Sequence, residues 1–159
     1  MNFMKNPVAI PLIFIWVGFV CAISFMEAWL KFQAPGVTIP IGLGIGRLVF
    51  GALNKVEWVL FLGSVWSLFP IKNLFSRQRV FLIVLFIILS IQTFWMLPVL
   101  DMRAELFIQG AEVPPSNMHV YFVAVELLKV VALVLLGTSL FGKSTETVSQ
   151  QAMKVTNLG

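Results

Sequence analysis

From Val80 to Leu100 the chain runs for 21 residues without a charged side chain. At 1.5 Å per residue, a helix of that length is about 31 Å long, which matches the roughly 30 Å hydrocarbon core of a bilayer. A helix that is apolar all round has no face to offer to water, so the run predicts a membrane span. Composition says the same of the whole chain. Of its 159 residues 59% are hydrophobic and 11% charged, against roughly 25% charged in soluble domains. A water-soluble fold of this size has too little interior to hide that much apolar surface, whereas lipid can solvate the outer faces of helices.

Three further spans follow from the same pattern, which predicts an all-α, transmembrane four-helix bundle over residues 1–142 with a polar tail at 143–159. The spans fall at about 8–30, 41–70, 80–109 and 118–141. Pro11 sits in the first turn of the first, where its missing N–H costs little. The N-terminal apolar stretch, Pro7 to Met26, exceeds the usual 7–15 residues of a signal-peptide core, and Val20 before Cys21 does not suit a lipoprotein site, so it is read as a retained span. Gln33-Ala34-Pro35-Gly36 breaks the first helix, and Pro40 offers a start for the second. The uncharged run from Trp58 to Ile71 is too short to cross, so the second helix must extend upstream through Gly42, Gly44, Gly46 and Gly51. Pro98 predicts a kink in the third helix. The helix formers from Asp101 to Gln109, ending at Gly110, predict that it continues beyond the membrane. Ser116 or Asn117 is suited to cap the fourth.

The formal net charge is +4, but the basic residues sit at the ends of apolar runs and not on one solvated face. The charge therefore reads as topology, and no nucleic-acid partner is expected. Lys5, Lys72, Arg77, Arg79, Lys143 and Lys154 fall on one side and Lys31, Arg47, Lys55 and Arg103 on the other. This places both termini on the cytoplasmic side, with helices two and three extended on the opposite side. Trp29, Trp58 and Trp95 near span ends on that opposite side suggest an aromatic belt.

Ionisable groups inside spans are costly unless they turn toward the bundle interior or a wet cavity, so they are the best guides to function. His119, Glu126 and Lys129 share a face of the fourth helix. Glu126 lies about 13 Å in from the helix start, and it and Lys129 can partner each other. Arg47, Asn54, Glu57 and Ser64 form a second stripe, and Cys21, Ser24, Glu27 and Lys31 a third. If the stripes converge they form a polar funnel bordered by Asp101, Arg103 and Glu105. The alternative is that the groups pair across helices and only fix the packing. Gln92, alone on the third span, is expected to be a structural hydrogen-bond donor.

Chemistry of other kinds finds little support. The single cysteine excludes an intrachain disulfide, a CxxC centre and a cysteine zinc site. One histidine near a helix end does not make a haem or metal site, and no cofactor is expected. Ser116, His119 and Asp101 lack a nucleophile elbow, and Walker, dinucleotide and HExxH motifs are missing.

The stretch Leu97-Pro98-Val99-Leu100-Asp101-Met102-Arg103-Ala104, with Gly110, Pro114-Pro115-Ser116, His119, Tyr121, Glu126 and Lys129, resembles the second half of small, uncharacterised four-span bacterial membrane proteins. Gly46-Arg47-Leu48-Val49-Phe50 with Asn54 and Glu57 is similar to their first half. The resemblance implies one four-helix domain in a bacterial inner membrane and no activity.

The leading expectation is therefore a membrane-embedded site binding or conducting a small solute, ion or proton. Its candidate residues are Glu126, Lys129, Glu57, Arg47, Glu27, His119, Asn54, Asp101 and Arg103. A non-catalytic accessory subunit of a larger membrane complex, or a homodimer, is the alternative, with Gly42 and Gly46 as contact surface. An enzyme acting on a lipid or lipophilic substrate stands third.

Overall fold

The computed structural model describes residues 8–69 and 77–141. Lys5, Lys72, Lys143, Lys154 and the tail at 143–159 lie outside the described residues. Four helices are long and apolar enough to cross a membrane: α1 (Ala9–Gln33), α2 (Ile39–Leu68), α3 (Arg77–Ile108) and α4 (Met118–Ser139). This is the architecture of a multi-pass membrane protein, and the large apolar side chains turned outward agree with it. Leu48, Trp66, Phe69 and Phe94 are each more than three-quarters exposed, which suits lipid and not water.

Each helix lies beside the next in sequence, and α4 closes the ring against α1. Neighbours run antiparallel: Leu12 meets Gly63, Asn54 meets Thr93, and Ile13 meets Gly137. At the end of the bundle that holds the start of α1 the interior is mostly apolar, built from Ala9, Ile13, Phe61, Leu68, Leu85, Leu89, Leu133 and Leu136, with the buried Ser64 hydroxyl among them. Gly137 allows this closure, because a side chain there would meet Phe14 and Ile13 at 3.1–3.3 Å. The polar groups are gathered in the middle and at the opposite end.

Local signals explain the helix boundaries. Gly36 and Gly110 have positive φ, 81° and 78°, in the turns that follow α1 and α3. After α3 the Gly110 N–H reaches the Phe107 carbonyl and the Ala111 N–H the Leu106 carbonyl, the double closure of a Schellman end. The expected cap of α4 is Ser116, whose hydroxyl accepts the Met118 N–H at 3.2 Å, while the Asn117 side chain makes no cap bond.

Two helices contain π-helical turns. In α1 the turn covers Cys21–Glu27, and the Ala28 N–H bonds five residues back to Ile23. In α3 it covers Gln92–Met96, immediately before Pro98, and the Leu97 N–H reaches Gln92. A wide turn there absorbs the helix irregularity that proline imposes, and the Thr93 hydroxyl donates to the Leu89 carbonyl at 2.7 Å. Both π turns lie at the level of the polar groups described next.

Candidate functional site

The deepest polar group is an ion cluster formed by three helices and capped by the fourth. Lys129 on α4 places Nζ 2.5 Å from Glu57 Oε1 on α2 and 3.1 Å from Glu126 Oε1 on its own helix. From α1, the Trp16 indole N–H donates to Glu57 Oε1 at 2.9 Å. From α3, Gln92 Nε2 donates to Glu126 Oε1 at 2.8 Å, the structural role expected of it. All five residues are at most 2% exposed. Charges this deep need partners in contact, because the interior screens them poorly and offers no bulk water. Two oxygens in the cluster, Glu126 Oε2 and Gln92 Oε1, have no hydrogen-bond partner.

A second group links α2 to α3. Thr93 Oγ accepts the Asn54 amide N–H at 3.0 Å and the Trp58 indole N–H at 2.9 Å. Trp58 is thus turned into the helix pair, against Phe61 and Phe86, and is not a belt residue. Trp29 and Trp95 do face outward.

The third group lies at the end where α2 begins and α3 finishes. Arg47 grips Asp101 with two bonds, Nε to Oδ1 at 2.5 Å and Nη2 to Oδ2 at 3.1 Å, and its Nη1 donates to Glu105. This fork holds the extended parts of both helices side by side. Arg103 donates to the Pro114 carbonyl, tying α3 to the linker before α4. On α1, Lys31 Nζ lies 3.2 Å from Glu27 Oε2 and is within 5.6 Å of the Phe32 and Phe50 ring centres.

Between these elements opens a cavity of about 670 Å³, within the size range of small-molecule sites. Lys31, Arg47, Asp101, Arg103 and His119 line it among apolar walls that include Phe32, Phe50, Phe107 and Phe122. Gly42, Gly46 and Gly51 keep its α2 wall thin. At its inner end the Phe50 and Phe122 rings meet edge to face, 5.5 Å between centres. Phe122 is one turn from Glu126 and Phe50 two turns from Glu57, so the ring pair lies on the side of the cavity nearest the ion cluster, where the lining also reaches Thr93.

The expected site residues are therefore divided. Arg47, Asp101, Arg103 and His119 line the cavity, whereas Glu57, Glu126 and Lys129 lie behind the phenylalanines. Glu27 pairs with a cavity residue and Asn54 serves the Thr93 junction. Gly42 and Gly46 are buried within the chain: a side chain at Gly42 would strike the Phe32 ring, and one at Gly46 would meet Lys31 Nζ at 3.1 Å. Among the described residues no group of three or more His, Cys, Asp or Glu side chains is placed to hold a metal.

Sequence reasoning missed Trp16 and Thr93. A signal existed for the first. Trp16 lies in mid-span, away from the interfaces where tryptophan collects, and a buried indole N–H needs an acceptor. No family model, curated protein or solved structure matches the chain.

Proposed function

We propose that the chain is a membrane-embedded binding protein for a small solute that combines a negatively charged group with an apolar body, held in the cavity at the Arg47 end of the bundle. The observation behind this reading is the unequal lining: three cationic side chains, Lys31, Arg47 and Arg103, face the space with one carboxylate, Asp101. Lys31 and Arg47 are already paired, but Arg103 has a backbone carbonyl as partner and makes no ion pair among the described residues. Its planar group of five donors is suited to a carboxylate or phosphate. The aromatic and aliphatic walls would receive the rest of the molecule.

The Lys and Arg count supports an orientation with both termini inside and the cavity on the side away from the cytoplasm. Passage of a solute inward would require Phe50 and Phe122 to part.

Thermal unfolding of the full chain in mild detergent, with decanoate or decanol added below their micellar concentrations, tests the reading. Decanoate should raise the unfolding temperature and decanol should not, and Arg103→Gln should remove the difference. Equal shifts from the acid and the alcohol would reject an anion site.

A further inference from the structure

The ion cluster behind the phenylalanines has a charge problem that its neighbours do not solve. Glu57 and Glu126 bring two carboxylates to one ammonium, Lys129, so the fully ionised cluster has net charge −1. Its other contacts are neutral: α1 presents Trp16 and α3 presents Gln92, and neither titrates in this setting. A net charge buried at most 2% exposed in a bundle core is expensive, and the uptake of one positive charge removes it.

Hydrogen bonding indicates where that charge sits. Glu57 Oε1 accepts from Trp16 and Lys129, and Glu126 Oε1 accepts from Gln92 and Lys129. Glu126 Oε2 and Gln92 Oε1 are left without a donor. They belong to the two side chains that are already joined by the Gln92 Nε2–H bond, and both are acceptors. A proton on Glu126 Oε2 would turn that oxygen into the donor Gln92 Oε1 lacks, in the pattern of a cyclic acid–amide pair with one bond running each way.

We infer that this cluster is a proton-binding site: one proton resides on Glu126 Oε2, donated to Gln92 Oε1, and Glu57 remains the carboxylate that pairs with Lys129. Binding is the simple addition of H⁺ to the Glu126 carboxylate, with no redox partner. The inference does not depend on what the outer cavity holds. A bridging water could supply the hydrogen bonds but would leave the charge uncorrected, and a bound cation would correct the charge while needing more oxygen ligands than these two.

Infrared spectroscopy of the full chain in proteoliposomes at neutral pH tests it. Wild type should show a carboxylic-acid carbonyl band that shifts in D₂O. Glu126→Gln should lose that band with little change in unfolding temperature, because a carboxamide has the shape of the neutral acid. Glu57→Gln should lose it too, since Glu126 then becomes the one carboxylate facing Lys129. Glu27→Gln should keep it. Absence of the band from wild type would overturn the proposal even if every variant failed to fold, as would its survival in Glu126→Gln. Absence accompanied by a Na⁺-dependent rise in unfolding temperature would give the place to a cation instead.

Discussion

The indole N–H of Trp16 and the ammonium of Lys129 meet the same oxygen, Glu57 Oε1, from helices α1 and α4, at 2.9 and 2.5 Å. One carboxylate oxygen thus joins three helices, and little else polar connects α1 to the bundle centre. Trp16→Phe keeps most of the ring volume against Phe61 and deletes the donor. Hydrogen bonds to charged groups contribute about 1.5–3 kcal/mol, so a loss of that size is expected in reversible unfolding from mixed micelles. A variant as stable as wild type would show that Lys129 alone suffices to hold Glu57.

Lys129 is the only cation in the cluster among the described residues, and its side chain is fully buried. Lys129→Met leaves the Glu57 carboxylate buried without a counter-charge and should cost about 3–5 kcal/mol, the range for breaking one side of a buried pair. Combining it with Glu57→Gln should recover part of that loss, with a coupling of about 0.5–3 kcal/mol in the double-mutant cycle. Additive losses would mean that the two side chains do not interact in the folded membrane protein.

Gly42 marks where α1 turns back onto α2. A Cβ at this position would overlap the Phe32 ring, so any side chain must shift that ring. Gly42→Val should therefore destabilise by about 1–3 kcal/mol, the usual cost of overpacking, and Phe32→Ala in the same chain should relieve it. Failure of the second change to help would place the strain in the α2 backbone, not in this contact.

How far these contacts were readable from the sequence depends on their range. High hydropathy over some 20 residues, a local property, set the spans, the second only by extension upstream of a run too short to cross, and Gly110 and Ser116 marked helix ends through equally local chemistry. Glu126 and Lys129, three residues apart on one helix, could be paired by periodicity alone. Glu57 with Lys129 could not, since the partners are 72 residues apart and only the order of helices around the ring brings them together. Of the three polar stripes Ser24, Asn54, Glu57, Ser64, Glu126 and Lys129 are buried, whereas Cys21 and His119 are exposed, and Phe50 and Phe122 stand where the outer cavity meets the inner cluster. Two aromatic residues in apolar spans give no warning of that role. The π turn of α3 was announced only as a disturbance at Pro98, and its start five to six residues earlier, at Gln92 and Thr93, follows from which carbonyls find other donors.

Gly51 provides the sharpest separation of binding from folding. It lines the cavity on α2, and a Cβ built there meets nothing within 4 Å, in contrast to Gly42 two and a half turns away. A side chain can therefore start from Gly51 without a clash at its Cβ, and Gly51→Leu would extend it into the cavity. In the helix interior, replacing glycine removes a penalty of about 1 kcal/mol, so stability should hold or rise slightly. The leucine would occupy the volume beside Phe50 that the apolar body of a solute needs, and the decanoate-induced rise in unfolding temperature should disappear. Arg103→Gln should lose the same response by a different route, removing the charge that recognises the acid while leaving the volume open. The proton band assigned to Glu126 should persist in both variants, because neither change reaches the cluster behind the phenylalanine pair. A Gly51→Leu protein that unfolds normally and still responds to decanoate as wild type does would show that the ligand sits elsewhere and that this cavity is not the binding site.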